Sequence, residues 1–440
     1  MSIFLIKAFQ LILSLAILVV LHELGHFIPA KLFKTKVEKF YLFFDWPFSL
    51  YKKKIGETEY GIGVLPLGGY VKIAGMIDES MDTEHLNKEP EPWEFRSKPA
   101  WQRLIIMLGG VTVNIILGFG IYMMIMFVWG KTILPSESIP DGWEVSEYME
   151  SIGFQDGDNV IELDGEKIED LNKLNALLLN GPETFTVIRS NGKRDVINFP
   201  QDAGVEIIKE FKSNVFPFIP LWLAVIDSVV PNSPAELSGL LKGDEIKSIN
   251  NQKVITPIAF QEFVQSNDVD SISIGVIRNG YDIVLNSGLR QDNSIGITFK
   301  NLSIQPKKLE FNFLESISQG YDFGIYTLTS YVSQMKLIFT KEGVSQLGGF
   351  GAIGGLFPAT WDWEIFWRNT AFLSLILAFM NMLPIPALDG GHVMFLCYEV
   401  VSGRKPNDKF MEYAQIAGFF LLMGLVLFAN GNDLYKFLFN

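Results

Sequence analysis

His22-Glu23-Leu24-Gly25-His26 places two imidazoles four residues apart, with a carboxylate beside the first. On a helix that spacing puts both rings on one face, one turn above the other, where they can share a single Zn²⁺. Glu23 then lies next to the metal, placed to act as a general base on water. The segment FLIKAFQLILSLAILVVL runs directly into this pattern. It is long enough to cross a bilayer, which takes roughly 20 apolar residues. Ionisable side chains at membrane depth are costly and mark functional positions by default. Two of the four histidines in the chain lie here, and the pattern reads as a zinc site for hydrolysis within the membrane.

A catalytic zinc takes three protein ligands and keeps one position open, so a third ligand must come from elsewhere. Asp389 in Leu388-Asp389-Gly390-Gly391-His392 is the best candidate, because Pro384 and Pro386 break an apolar segment just before it. Helix breaks at membrane depth are tolerated where the backbone lines a cavity. His392 is the runner-up, as a ligand or as a donor behind the ligands. Glu399 lies farther along and is expected to face elsewhere.

Four apolar segments must position these groups: residues 3–27, 104–129, 366–401 and 413–429. Each reaches or nearly reaches a membrane-crossing length. The third is interrupted by Asn381-Met382-Leu383-Pro384-Ile385-Pro386. Lys31, Lys34, Lys36 and Lys39 follow the first segment, Arg96, Lys98 and Arg103 precede the second, and Arg404, Lys405 and Lys409 separate the third from the fourth. Basic loops stay in the cytoplasm. Both ends of the sequence, and the region from Lys131 to about residue 361, are therefore expected on the opposite side.

The 440 residues have a mean hydropathy of +0.24, which fits a mixture of membrane spans and soluble domains. A net charge of −13 argues against nucleic acid as a partner. Much of the acidity falls in the middle of the chain and in residues 78–94. The single cysteine, Cys397, rules out a disulfide within the chain and is expected to be a buried small apolar residue. The N-terminal apolar run lacks a basic leader and is not expected to be a cleaved signal peptide.

The region between the second and third segments contains a repeat. Gly153-Phe154-Gln155-Asp156-Gly157-Asp158 is followed by VIELDGEKI, and Gly239-Leu240-Leu241-Lys242-Gly243-Asp244 by EIKSINNQKV. Each copy predicts a strand after Gly-Asp, a turn at Asp164-Gly165 or Asn250-Asn251, and a later amphipathic helix. The second copy, with Val229-Val230-Pro231-Asn232-Ser233-Pro234-Ala235 upstream, closely resembles the PDZ domains of bacterial envelope proteases. The shared glycine spacing extends the resemblance to the first copy. Such domains accept extended peptides by strand addition. An amphipathic pattern over residues 309–347 predicts a helix on or against the outer membrane surface. The glycine-rich residues 348–355 read as a loop too flexible for a helix interior.

HExxH in the first span, two PDZ copies and N-x-x-P-x-P-x-x-D-G-G in a late span together resemble the site-2 protease family, in particular its bacterial RseP-type members with tandem PDZ domains. The resemblance covers essentially the whole chain. It implies a polytopic α-helical membrane protein with four transmembrane helices, two periplasmic PDZ domains of α+β type and a membrane-associated β-loop. The implied layout is transmembrane helix 1 over residues 1–30, a β-loop region over 31–101 and transmembrane helix 2 over 102–130. PDZ domains follow over 131–204 and 205–300, then an amphipathic helix and glycine-rich loop over 301–361. Transmembrane helices over 362–402 and 411–430 complete it.

By that likeness His22, His26 and Asp389 hold zinc and Glu23 is the catalytic base. Asn381 lines the cleft, and residues 61–75 (GIGVLPLGGYVKIAG), including Gly68, Gly69 and Tyr70, pair with substrate as an added strand. The implied activity is a zinc metalloendopeptidase of the bacterial inner membrane, with membrane lipids as its surroundings. Its substrate would be a single-span protein such as an anti-sigma factor already trimmed by an upstream site-1 protease, or a leftover signal peptide, with the PDZ pair filtering by size. The alternative is a catalytically inactive PDZ-bearing membrane scaffold. Two departures stand out: the family's Gly-Pro-x-x-Asn reads Gly110-Val111-Thr112-Val113-Asn114, and its Gly-Pro before the third span reads Gly349-Phe350.

Overall fold

Uninterrupted apolar sequence, free of proline until Pro29, lets the first helix run from Ser2, whose hydroxyl caps it, to the basic end at Lys31. The computed structural model describes residues 2–66, 68–76, 89–266, 270–290, 294–302, 304–336, 340–344 and 347–439. Most of the acidic stretch from residue 78 lies outside the described residues. The chain divides into one unit of Met1–Lys131 with Glu310–Asn440 and a second of Thr132–Leu309.

In the first unit the long helices are α1 (Ile3–Leu32), α2 (Ala100–Val128), α3 (Phe313–Met335), α4 (Trp363–Met382), α5 (Asp389–Ser402) and α6 (Asp408–Phe439). Among the described residues, four helices are long and apolar enough to cross a membrane: α1, α2, α4 and Lys409–Phe439 within α6. The protein is thus polytopic, with added β-rich regions. The apolar segment 366–401 is two helices rather than one span. Leu383 turns extended, Pro384 and Pro386 offer no N–H, and Ala387 takes a positive φ of 74° before α5 begins at Asp389.

α3 packs closely against α2. Its Gly320 and Gly324 press on α2, where an added Cβ would come within 2.5 Å of Met123 and of Phe119. Small residues four apart allow such close helix approach where hydrophobic exclusion is absent. Tyr122 packs edge-on to Phe323, and Tyr331 sits against Phe372 and Phe379 of α4.

Between α1 and α2 lies a four-stranded sheet of β1 (Val37–Leu42), β2 (Phe44–Ile55), β3 (Thr58–Leu65) and β4 (Tyr70–Ile73), ordered β2-β3-β1-β4. β3 therefore lies inside the sheet, and among the described residues of the 61–75 segment β4 is the strand at an edge. Its other edge pairs Tyr70 with Tyr41 and Val71 with Phe40.

Two further expectations are corrected. The glycine-rich segment contains a short helix, Phe350–Gly355, because α6 caps it: Asp433 accepts from Gly349 and Ala352 N–H, and Asn430 accepts from Phe350 N–H. Cys397 is exposed, since it points outward from α5 rather than into the bundle.

Among its described residues the second unit holds two four-stranded sheets of one topology, besides two-stranded pairings. The first has β5 (Asn159–Leu163), β6 (Glu166–Lys167), β7 (Thr184–Ile188) and β8 (Arg194–Asn198), ordered β8-β7-β5-β6. The second has β9 (Glu245–Ile249), β10 (Gln252–Lys253), β11 (Ser271–Arg278) and β12 (Tyr281–Gly288), ordered β10-β9-β11-β12. The repeated Gly-Asp has one job in both copies. Asp158 accepts from Gln155 N–H and from Arg189, and Asp244 accepts from Leu241 N–H and from Arg278, so each carboxylate ties its loop to the end of the third strand in its module. Separate cores, around Phe154, Phe185 and Ile207 and around Ile246, Phe260 and Ile274, fill the two modules.

Candidate metal centre

α1 and α2 meet backbone to backbone where the histidines lie. A Cβ on Gly25 would fall 2.4 Å from the Gly109 carbonyl oxygen, and one on Gly109 would fall 1.9 Å from that of Gly25. Gly110 leaves room for the two rings, since its Cβ would lie 2.3 Å from His26 Nε2 and 2.5 Å from His22 Cε1. The absent side chains on α2 are what let HExxH face the protein interior.

The structure brings His22, His26 and Asp389 together. The two Nε2 atoms are 3.2 Å apart, and each lies 3.4 Å from Asp389 Oδ2. Ligands about 2.0–2.1 Å from a tetrahedral zinc would be separated by about 3.3–3.4 Å, so the three atoms fit one ion. Asp389 Oδ2 is buried with no hydrogen-bond partner among the described residues. Leaving a buried polar atom so costs about 1–3 kcal/mol, more when charged, and a cation removes that cost.

The outer contacts set the imidazole tautomers. His26 Nδ1–H donates to the Ile106 carbonyl at 2.8 Å, which leaves the lone pair of Nε2 available to a metal. His22 Nδ1 lies 3.2 Å from Asn114 Nδ2, while the buried Asn114 Oδ1 has no partner. Exchanging the two ends of that amide, alike in shape, gives a His22 Nδ1–H its acceptor. Asn381 Nδ2 stands 3.5 Å from His22 Nε2. His392 is not one of the trio, and its Nε2 lies 2.9 Å from Gln415 Nε2 on α6. Glu399 pairs with Arg103 of α2.

The edge strand reaches the same place. The main chain of Val71 in β4 comes within hydrogen-bonding range of the Glu23 carboxylate. Gly69 is wedged so that a Cβ would lie 2.6 Å from both the Tyr41 carbonyl oxygen and Val19 of α1. The Tyr70 side chain is committed elsewhere: its hydroxyl donates to Asp45 at 3.0 Å, and its ring stacks on Tyr41. Burial and that Asp45 carboxylate hold the phenol well above its ordinary pKa, so it stays a neutral donor.

The sequence alone singles out neither Ile106 nor Gln415, and Gly110 and Asn114 appear in it only as the two ends of a motif. A carbonyl and a glycine carry no chemical signature, and the amides are isolated in apolar runs.

The model of peptidase family M50 matches residues 10–425. The chain belongs to that family. Among similar proteins, the regulator of sigma E protease of Haemophilus influenzae is 29% identical, over 97% of this chain and 98% of its own length. The regulator of sigma-E protease RseP of Escherichia coli is 26% identical, over 95% and 96%. A Borreliella burgdorferi protein provisionally named a zinc metalloprotease is 30% identical, over 96% and 97%. The M50 chain is accordingly a zinc metalloendopeptidase with membrane-spanning helices.

Proposed function

We propose that this peptidase cuts peptide bonds within the transmembrane segments of single-span proteins, with zinc on His22, His26 and Asp389 and with Glu23 as base. The observation that carries this reading is the unpartnered Asp389 Oδ2, 3.4 Å from each Nε2 of an HExxH pair inside a membrane-spanning helix. Bound there, zinc supplies Lewis acidity that polarises a carbonyl and makes water acidic enough to ionise near neutral pH. Glu23 takes the proton from the attacking water and delivers it to the leaving amine. Asn114 and the Ile106 carbonyl keep the imidazoles turned inward.

A helical substrate hides its carbonyls in its own hydrogen bonds, so it has to unwind before cleavage. The edge strand β4, with the backbone at Gly68, Gly69 and Tyr70, offers replacement bonds beside Glu23, as strand addition does elsewhere. The Asn381 amide serves the same end.

Thr132–Leu309 lies between α2 and α3 in sequence, and the Lys and Arg distribution supports a periplasmic position for it at a bacterial inner membrane. Its two matching modules are read as PDZ domains that admit substrates already trimmed by another protease. The names of two relatives, each a regulator of sigma-E protease, support an anti-sigma factor as substrate, with remnant signal peptides as a second class. Co-expression with a library of tagged single-span proteins, comparing wild type with Glu23→Gln, tests the reading. Fragments that depend on Glu23 support it, and identical fragment patterns in both strains contradict it.

A further inference from the structure

Asp389 reaches the histidines from a turn with few bonds of its own. Pro384 and Pro386 have no N–H, and within the turn Ile385 N–H reaches Leu383 and Leu388 N–H reaches Ile385. Ala387, two residues before Asp389, holds a φ of 74°, which an alanine rarely adopts unless its surroundings impose it. Its N–H donates to Gln415 Oε1 at 2.5 Å, across 28 residues of chain. The other end of the same amide, Nε2, lies 2.9 Å from His392 Nε2 on α5.

Gln415 is 8% exposed, within a stretch of α6 from Tyr413 to Ala429 that is otherwise apolar. One turn along, Gly418 lets α6 close on the turn, since a Cβ there would lie 1.9 Å from the Pro386 carbonyl oxygen. A primary amide in an apolar helix needs partners, and this one spends both ends on the segment that carries Asp389.

We propose that Gln415 is a positioning residue that fixes the Ala387–Asp389 turn so that Asp389 Oδ2 stands at zinc-binding distance from both imidazoles. The inference rests on the reading of Asp389 as a ligand. Gln415 touches neither the reacting atoms nor the trio itself, and it acts through the backbone of Ala387 and through His392. Losing a hydrogen bond that orients a metal ligand typically changes metal affinity or activity by roughly 10–100-fold.

The test uses the purified full chain in lipid nanodiscs, its bound zinc followed during a chase with EDTA. Cleavage of a tagged single-span substrate is measured as separate kcat and KM. Gln415→Leu keeps the volume and removes both hydrogen bonds, whereas Gln415→Glu keeps an oxygen for Ala387 N–H. The expected result is zinc release roughly tenfold or more faster in Q415L, with kcat lowered and KM within twofold, and Q415E lying nearer to wild type. Release and kcat within twofold of wild type in Q415L overturn the proposal, and so does a Q415E defect as large as that of Q415L, which would mark a packing role. Should Q415L fail to accumulate, Gln415→Met enters the same comparison. Asp389→Ala separates the two layers. If D389A binds zinc like wild type, the ligand reading fails and the proposal with it; if D389A loses zinc while Q415L does not differ from wild type, the proposal alone fails.

Discussion

Gly110→Ala is a one-methyl change aimed at the centre of the site. The new Cβ would lie 2.3 Å from His26 Nε2 and 2.5 Å from His22 Cε1, where ordinary contact begins near 3.4 Å. One ring or one helix must therefore move by about 1 Å. α2 has little room to yield, because on another face Gly118 is already packed so that a Cβ would sit 2.7 Å from Leu375 of α4. Metal sites hold their donor distances to about 0.2 Å, so the required shift is about five times what the site accepts. A misplacement of 1 Å can cost about 100-fold in rate. The expected outcome is zinc content at least about tenfold lower and cleavage about 100-fold slower, in protein that still accumulates in membranes. Gly120→Ala, on the same helix with nothing within 4 Å of the added methyl, is the matched control and should change neither. Zinc is counted by elemental analysis and cleavage by gel assay on a tagged single-span substrate. Full zinc content with more than about a tenth of wild-type rate in G110A would mean that the two rings do not work against this face of α2.

Asp389→Ala should strip most of the zinc, whereas His392→Ala, whose ring faces Gln415, should strip less; the reverse order in elemental analysis would move the third ligand to His392. Deleting about residues 135–301 should let the enzyme cut substrates that keep bulky outer domains, if the two modules act as a size filter. Weaker cutting of trimmed substrates, with no gain on untrimmed ones, would instead assign them to capture of a new C-terminus.

The parts of the molecule legible in the sequence are those whose partners are near in the chain or whose chemistry is distinctive. The four-residue spacing of His22 and His26 needs only a helix, and a carboxylate behind two prolines in an apolar stretch stands out on its own. The hairpins at Asp164-Gly165 and Asn250-Asn251 are equally local: φ is positive at all four residues, the conformation these residue types tolerate. What stays hidden depends on distant partners. The glycine-rich segment becomes helical only because Asp433 and Asn430, about 80 residues on, cap it. Gln415 is a lone amide in an apolar run until folding brings Ala387 to it. Gly110 is one glycine among several on α2, and only its position against two imidazoles sets it apart. The edge position of β4 follows from a sheet order that places β3 inside, which alternation of residues along the strands does not specify.

The central claim is that a zinc site buried between α1, α2 and the Asp389 turn hydrolyses peptide bonds inside a membrane segment. The most direct measurement pairs zinc quantification with mass-spectrometric mapping of the new termini of a single-span substrate, for purified wild type and Glu23→Gln side by side. About one zinc per chain is expected in both proteins, with wild-type cuts that map within the apolar span and at least about 100-fold less product from E23Q, the range general-base catalysis supplies. Cuts confined to the polar flanks, or an E23Q rate within about tenfold of wild type at equal zinc content, would contradict it.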